Sequence, residues 1–252
     1  MDIDQLKYHF NKIYRACDNS FMVGCGSYLF NGHQYVYDKK NYSKQKLLYD
    51  VVKNKESVLE VGVYMGHSLL IMLISNPNIR ITAVDIMDKY SFPAIKYLRN
   101  SFRKSKIDFI KGNSLKVLPN LKKKFDFFHI DGHHSNYVAT KDFKQCKKMS
   151  QTEVMSVLFD DISACIPLKK YILENYRIKL HKAPLNNDNL YIEIYIKDVK
   201  LLTKINLNNL NIFEGFKYNI YIFFSKLASN QIGVQLKKKF PEIVKFIKKI
   251  LV

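Results

Sequence analysis

The sequence predicts an α/β fold with a mostly parallel central sheet of about seven strands, helices on both faces and an antiparallel hairpin at one edge. Two observations predict it. From about residue 42 to residue 161, short and nearly continuous apolar runs alternate with helical patterns. Strands that are apolar on both sides need helices over both faces of the sheet, and that arrangement belongs to parallel sheets. Two strand patterns then follow close together, YRIKLHKAP and NLYIEIYIKD, and these read as the edge hairpin. At 252 residues the chain is large for one domain and small for two, which suggests one domain with additions.

The elements read in order as follows. SKQKLLYDVVKN is an amphipathic helix with Leu47, Leu48, Val51 and Val52 on one side. SVLEVGV is a buried strand that ends in glycine, and HSLLIMLIS is a helix. IRITAVDI is a second buried strand, FPAIKYLRNSF a helix opened by Pro93, KIDFIKG a third strand and SLKVLPNL a short helix. KFDFFHID is a fourth strand, YVATKDFKQCKKM a helix and EVMSVLFDD a fifth strand. The expected division is an N-terminal lid or extension over 1–41, a central domain over 42–200 and an extension over 201–252. Within the first segment, FMVGCGSYLFNGHQYVYDKKNY suggests a hairpin or lid. The chain closes on LKKKFPEIVKFIKKILV, a basic amphipathic helix suited to its own domain or to a membrane surface.

Composition bounds the function. The net charge is +19, which favours anionic partners such as nucleic acid, a membrane surface or a phosphorylated substrate. Only five of the 41 basic residues are arginine, however, and Lys, Asn, Ile and Tyr abound, a pattern that AT-rich codon usage also produces. Dedicated readers of phosphate and bases favour the bidentate guanidinium. The charged N-terminus lacks the apolar core of a signal peptide, and no uncharged run is long enough to span a bilayer. Cys17, Cys25, Cys146 and Cys165 are scattered and fit no zinc or redox spacing, so reduced thiols in a cytoplasmic protein are expected.

In an open parallel sheet, ligands bind beyond the carboxyl ends of the strands. The first strand runs into Glu60, Gly62, Tyr64, Gly66, His67 and Ser68, a glycine turn before a helix whose first N–H groups lack backbone partners. It lacks the third glycine of a pyrophosphate-binding turn, and Glu60 suits a cationic ligand rather than a diphosphate. The second strand ends at Asp85, nineteen residues beyond Gly66, placed for both hydroxyls of a ribose or for a helix N-cap. After the third strand, Asn113 and Ser114 offer polar groups to an adenine edge or an ordinary cap. After the fourth come Asp131, His133 and His134, and after the fifth Asp160 and Asp161. Three carboxylates at adjacent strand ends call for a cation between them, Mg²⁺ by ligand hardness, or else each caps the segment that follows it. His129, inside its strand, reads as a satisfied core residue.

EVGVYMGHS, AVDI, FDFFHIDGHHS and LFDDI, in this order, resemble class I S-adenosylmethionine-dependent methyltransferases, in particular the metal-dependent O-methyltransferases that include the catechol and macrocin-type sugar enzymes. The D-G-x-H-S segment is similar to methyltransferase family 24. The resemblance covers about residues 42–200 and implies a Rossmann-like class I methyltransferase fold. It implies that Glu60, Gly62, Gly66 and Ser68 hold the methionine part of S-adenosylmethionine, with Tyr64 and Asp131 in the same pocket. Asp85 would hold the ribose, and Asn113 and Ser114 would lie near adenine. Asp131, Asp160 and Asp161 would bind the divalent cation, and His134 or His133 would be the base. The implied reaction is methylation of a hydroxyl on a sugar, sugar nucleotide or other small acceptor. An RNA methyltransferase and a basic non-catalytic protein on the same fold are the alternatives; the chain has no [ND]-P-P-[YF] motif for exocyclic amines. It departs from the class in lacking a Gly-Gly turn before the fifth strand, and in His133, where Gly or Asp is usual.

Overall fold

The computed structural model describes residues 1–19, 37–87, 89–181 and 189–199. A seven-stranded sheet has the order β3-β2-β1-β4-β5-β7-β6. Its strands are β1 (Ser57–Val61), β2 (Arg80–Asp85), β3 (Lys106–Lys111), β4 (Phe127–Ile130), β5 (Val154–Phe159), β6 (Tyr176–His181) and β7 (Leu190–Val199). The first five are parallel, while β7 lies antiparallel between β5 and the edge strand β6. The expected mostly parallel sheet with an antiparallel hairpin at its edge is therefore what forms, and strand order reverses between β1 and β4.

The helices are α1 (Ile3–Ala16), α2 (Lys39–Val52), α3 (His67–Ser75), α4 (Ser91–Ser101), α5 (Ser114–Val117), α6 (Asn136–Lys148) and α7 (Ile166–Asn175). They bury both faces of the sheet, which explains the continuous apolar runs. Val58, Ile81, Ala83 and Phe127 face the core shared with α1 to α4. Leu59, Val84, Phe128, Val157 and Phe159 face the core shared with α6 and α7. Neighbouring strand residues such as Val58 and Leu59 thus serve opposite layers.

Two helices add to the sequence expectation. α1 begins at Asp2, whose carboxylate accepts from the N–H groups of Asp4 (2.9 Å) and Gln5 (3.1 Å). Leu6, Phe10 and Ile13 come round at helical spacing and are fully buried against the first core. At about 1.5–3 kcal/mol for each such side chain, they make α1 part of that core. α7 spans the connection from β5 to β6 and buries Leu168 and Ile172. The predicted hairpin or lid falls largely, and the C-terminal basic helix wholly, outside the described residues. No described helix is long and apolar enough to cross a membrane. Cys17, Cys146 and Cys165 are free thiols buried in the cores.

Candidate active site

The carboxyl ends of β1, β2, β4 and β5 form one cluster, tied at the backbone. Gly62 N–H donates to Val84 O, Asp131 N–H to Val61 O and Asp160 N–H to Ile130 O. Gly62 has φ +93°, and a Cβ there would stand 2.0 Å from the carbonyl oxygen of Asp131. Gly66 has φ +71° and opens α3. Tyr64, between them, holds a left-handed φ of 48° without being glycine. Such a conformation costs about 1–3 kcal/mol, so the surrounding bonds must hold it. They come from Asp85, whose Oδ2 accepts from the N–H groups of both Val63 and Tyr64 at 2.7 Å, while Oδ1 accepts from Met87 N–H at 2.8 Å. Asp85 fixes the glycine loop and retains lone pairs for further donors.

Glu60 and His129 are opposite residues on the paired strands β1 and β4. Both are fully buried, with Glu60 Oε1 2.9 Å from His129 Nδ1. The same oxygen accepts from the Ser68 hydroxyl at the start of α3. Glu60 Oε2 is buried and accepts no hydrogen bond. The expectation that His129 is a satisfied core residue agrees with this pairing. A glycine cradle, an acid at the β2 tip and a buried carboxylate oxygen without a donor fit the cationic, ribose-bearing donor that the sequence implies. Asn113 accepts from Leu115 N–H at 2.9 Å and so caps α5. Ser114 lines a cavity of about 230 Å³ together with Leu115, Pro119, Tyr137 and Asp142.

Asp131 and Asp160 lie side by side, while Asp161 faces His134. The Asp131 carboxyl is buried beside Asp160; burial first, and the Asp160 charge second, hold its pKa well above the usual carboxylate range. Burial opposes ionisation of Asp160 too, but the ammonium of Lys44, 2.7 Å from its Oδ2, overrides this and holds its pKa low. His134 Nε2 lies 3.7 Å from Asp161 Oδ2 and 4.0 Å from Asp131 Oδ1. The neighbouring His133 accepts from Ser135 N–H at 3.2 Å through Nδ1, and partial desolvation, with His134 beside it, lowers its pKa. Asp161 itself has φ 47°.

The donor set does not fit a divalent ion as it is arranged. Lys44 already sits on Asp160, and among the described residues no three His, Cys, Asp or Glu side chains are grouped to hold one. Lys44 and Asp142 are the residues that sequence reasoning missed. Both carried a signal: each is a charge on an otherwise apolar helical stripe, Lys44 one turn before Leu48, and Asp142 one turn after Val138 and before Cys146.

Residues 35–158 match the family model described as O-methyltransferase. That segment is similar to the O-methyltransferase family. A caffeoyl-CoA O-methyltransferase of Stellaria longipes is 34% identical over 94 residues, covering 34% of this chain and 39% of the relative. The Tapetum-specific methyltransferase 1 of Arabidopsis thaliana is 30% identical over 90 residues with the same coverage. The chain thus spans about two fifths of the length of the curated relatives it matches. Among solved structures, the O-methyltransferase from Bacillus cereus in complex with SAH aligns with a TM-score of 0.53 at 13% identity, over 75% of this chain and 90% of that one. The SAH-bound Podospora anserina methyltransferase aligns with a TM-score of 0.55 at 12% identity, over 74% and 87%. The fold is the Rossmann-like class I methyltransferase fold.

Proposed function

We propose that the chain is an S-adenosylmethionine-dependent O-methyltransferase acting on a hydroxyl of a small acceptor, a sugar among the candidates. One observation carries this: the glycine loop, Asp85 and the Asp131–His134 segment meet at the reversal point of a class I sheet within the O-methyltransferase segment. S-adenosylmethionine, when bound, supplies a methyl group made electrophilic by the sulfonium.

The chain's own residues do the rest. Glu60, Gly62, Tyr64, Gly66, Ser68 and Asp131 surround the methionine end. Asp85 takes the ribose hydroxyls while holding the loop, and Asn113 and Ser114 flank the adenine. His134 Nε2 accepts the proton of the acceptor hydroxyl, with Asp131 and Asp161 near enough to stabilise the imidazolium. Apo distances of this length are usual before substrate closes a site. Holding the acceptor oxygen in line with the methyl lowers the barrier by up to ~7–11 kcal/mol.

Divalent-cation dependence through Asp131, Asp160 and Asp161 is the second reading. Asp131 Oδ1, buried and without a hydrogen-bond donor, favours it; Lys44 on Asp160 opposes it. Calorimetric titration with S-adenosylhomocysteine, followed by radiolabelled methyl transfer to a panel of hydroxylated sugars and phenols, tests the proposal. Binding plus transfer to oxygen supports it; failure to bind the nucleoside overturns it.

A further inference from the structure

Asp131 and Asp160 crowd two carboxyl groups at adjacent strand ends, and the chain sets a positive charge against them. α2 seats its inner face in the core through Leu48 and Val52, both fully buried. Lys44 lies one turn before Leu48 on that face, so burying the helix carries its side chain inward rather than to solvent. Nζ reaches Asp160 Oδ2 at 2.7 Å; the Lys44 side chain is 12% exposed and that of Asp160 0%. This is not a surface ion pair that a solvated ion displaces freely. A metal ligated by the same oxygen would stand ~2.0–2.6 Å from it, in the space the ammonium occupies, and two cations that close repel.

We propose that Lys44 is the resident cation of this site, standing in for the divalent ion that the carboxylate spacing calls for. The consequence for substrate rests on the methyltransferase reading above: the acceptor needs no pair of adjacent hydroxyls to chelate a metal, and a single, correctly placed hydroxyl suffices. The cation assignment itself does not depend on that reading.

Mn²⁺ titration followed by electron paramagnetic resonance tests it on the full chain, using wild type, Lys44→Met, Lys44→Arg and Lys44→Met/Asp160→Asn. Wild type and Lys44→Arg are expected to leave Mn²⁺ free up to about 1 mM, where even weak protein sites bind divalent ions. Lys44→Met, with the cation removed and the carboxylates kept, is expected to bind one Mn²⁺ at least about tenfold more tightly, a gain that Asp160→Asn abolishes. One Mn²⁺ bound by wild type in the micromolar range overturns the proposal. So does a folded Lys44→Met that gains nothing, folding being checked by circular dichroism. Should Lys44→Met not fold, the wild-type and Lys44→Arg titrations still decide. S-adenosylhomocysteine binding, read separately on wild type, distinguishes failure of the methyltransferase reading from failure of this one.

Discussion

Gly62 lies against the backbone of Asp131 so closely that no side chain fits between them: a Cβ would approach the Asp131 carbonyl oxygen to 2.0 Å, its carbon to 2.5 Å and Gly132 N to 2.9 Å. All three obstacles are main chain and cannot rotate away. This contact sets the distance between the glycine loop after β1 and the segment after β4 that carries His134. The positive φ of Gly62 makes the position doubly restrictive.

Gly62→Ala is therefore expected to push the two loops apart rather than to fill a gap. The strained φ alone costs about 1–3 kcal/mol, and the clash adds to it. At roughly 2–4 °C per kcal/mol for a domain of this size, the melting temperature is expected to fall by about 5 °C or more. Binding of S-adenosylhomocysteine is expected to weaken with it. Differential scanning fluorimetry with and without the nucleoside checks both effects; an unchanged melting curve would mean that the loop contact is softer than its geometry.

His134 and His133 differ in what their rings face. His134 is turned toward Asp131 and Asp161, whereas His133 accepts a backbone N–H from Ser135. Once an acceptor is in hand, His134→Ala is expected to lower kcat by ~10²–10⁴-fold, the usual range for a general base, while leaving nucleoside affinity intact. His133→Ala is expected to cost about tenfold or less. Steady-state kinetics on both variants decide between them, and equal losses would remove the assignment of the base to His134.

Much of this site was legible because each strand end is marked in the sequence by a residue that fits no core. Asp85, Asp131 and Asp160 each end an apolar run, and a carboxylate there must either find donors or bind a ligand. What Asp85 grips was not legible. Its donors, the N–H groups of Val63 and Tyr64, are main chain, and main chain leaves no mark in residue type. α1 was hidden for a different reason. Leu6, Phe10 and Ile13 carry the helical period behind the Asp2 cap, but with Lys, His and Asn between them the stretch looks polar until the helix has a core to pack on. Lys44 was obscured by its chemistry: a lysine on a helix is ordinarily read as solvated, and only the buried Asp160 opposite it makes an inward lysine stable.

The Glu60–His129 pair gives a stability test within the core. Glu60 already has one oxygen without a donor, so it depends on His129 and Ser68 for the other. His129→Phe keeps the bulk of the ring but removes a hydrogen bond to a buried acid. The expected loss is roughly 2–4 kcal/mol, between the worth of a charge-assisted hydrogen bond and the cost of breaking a buried pair. Glu60→Leu/His129→Phe, which removes both polar groups, is expected to be more stable than His129→Phe alone. Urea denaturation of the single and double variants measures this coupling.

Asp142 makes the fold sensitive to pH from a position beside the Ser114 cavity. It lies on the buried stripe of α6, its carboxyl oxygens are buried without close hydrogen-bond donors, and burial pushes its pKa up to about 7 from the usual 3.8. The Ser114 hydroxyl nearby acts second, in the opposite direction. A raised acid pKa means that the folded chain holds a proton which the unfolded chain releases near pH 4. Between those two values folding takes up a proton, so this group's contribution to stability falls as pH rises and is lost by the time pH passes about 7. With each pKa unit equivalent to about 1.4 kcal/mol, the total is on the order of 4–5 kcal/mol. Asp142→Asn removes the titration while keeping the shape. It is expected to unfold at higher urea concentration than wild type at pH 8, to exceed it by less at pH 5, and to flatten the stability profile between. Urea midpoints across pH 5 to 8 measure this directly; a variant whose profile parallels that of wild type would place the proton elsewhere.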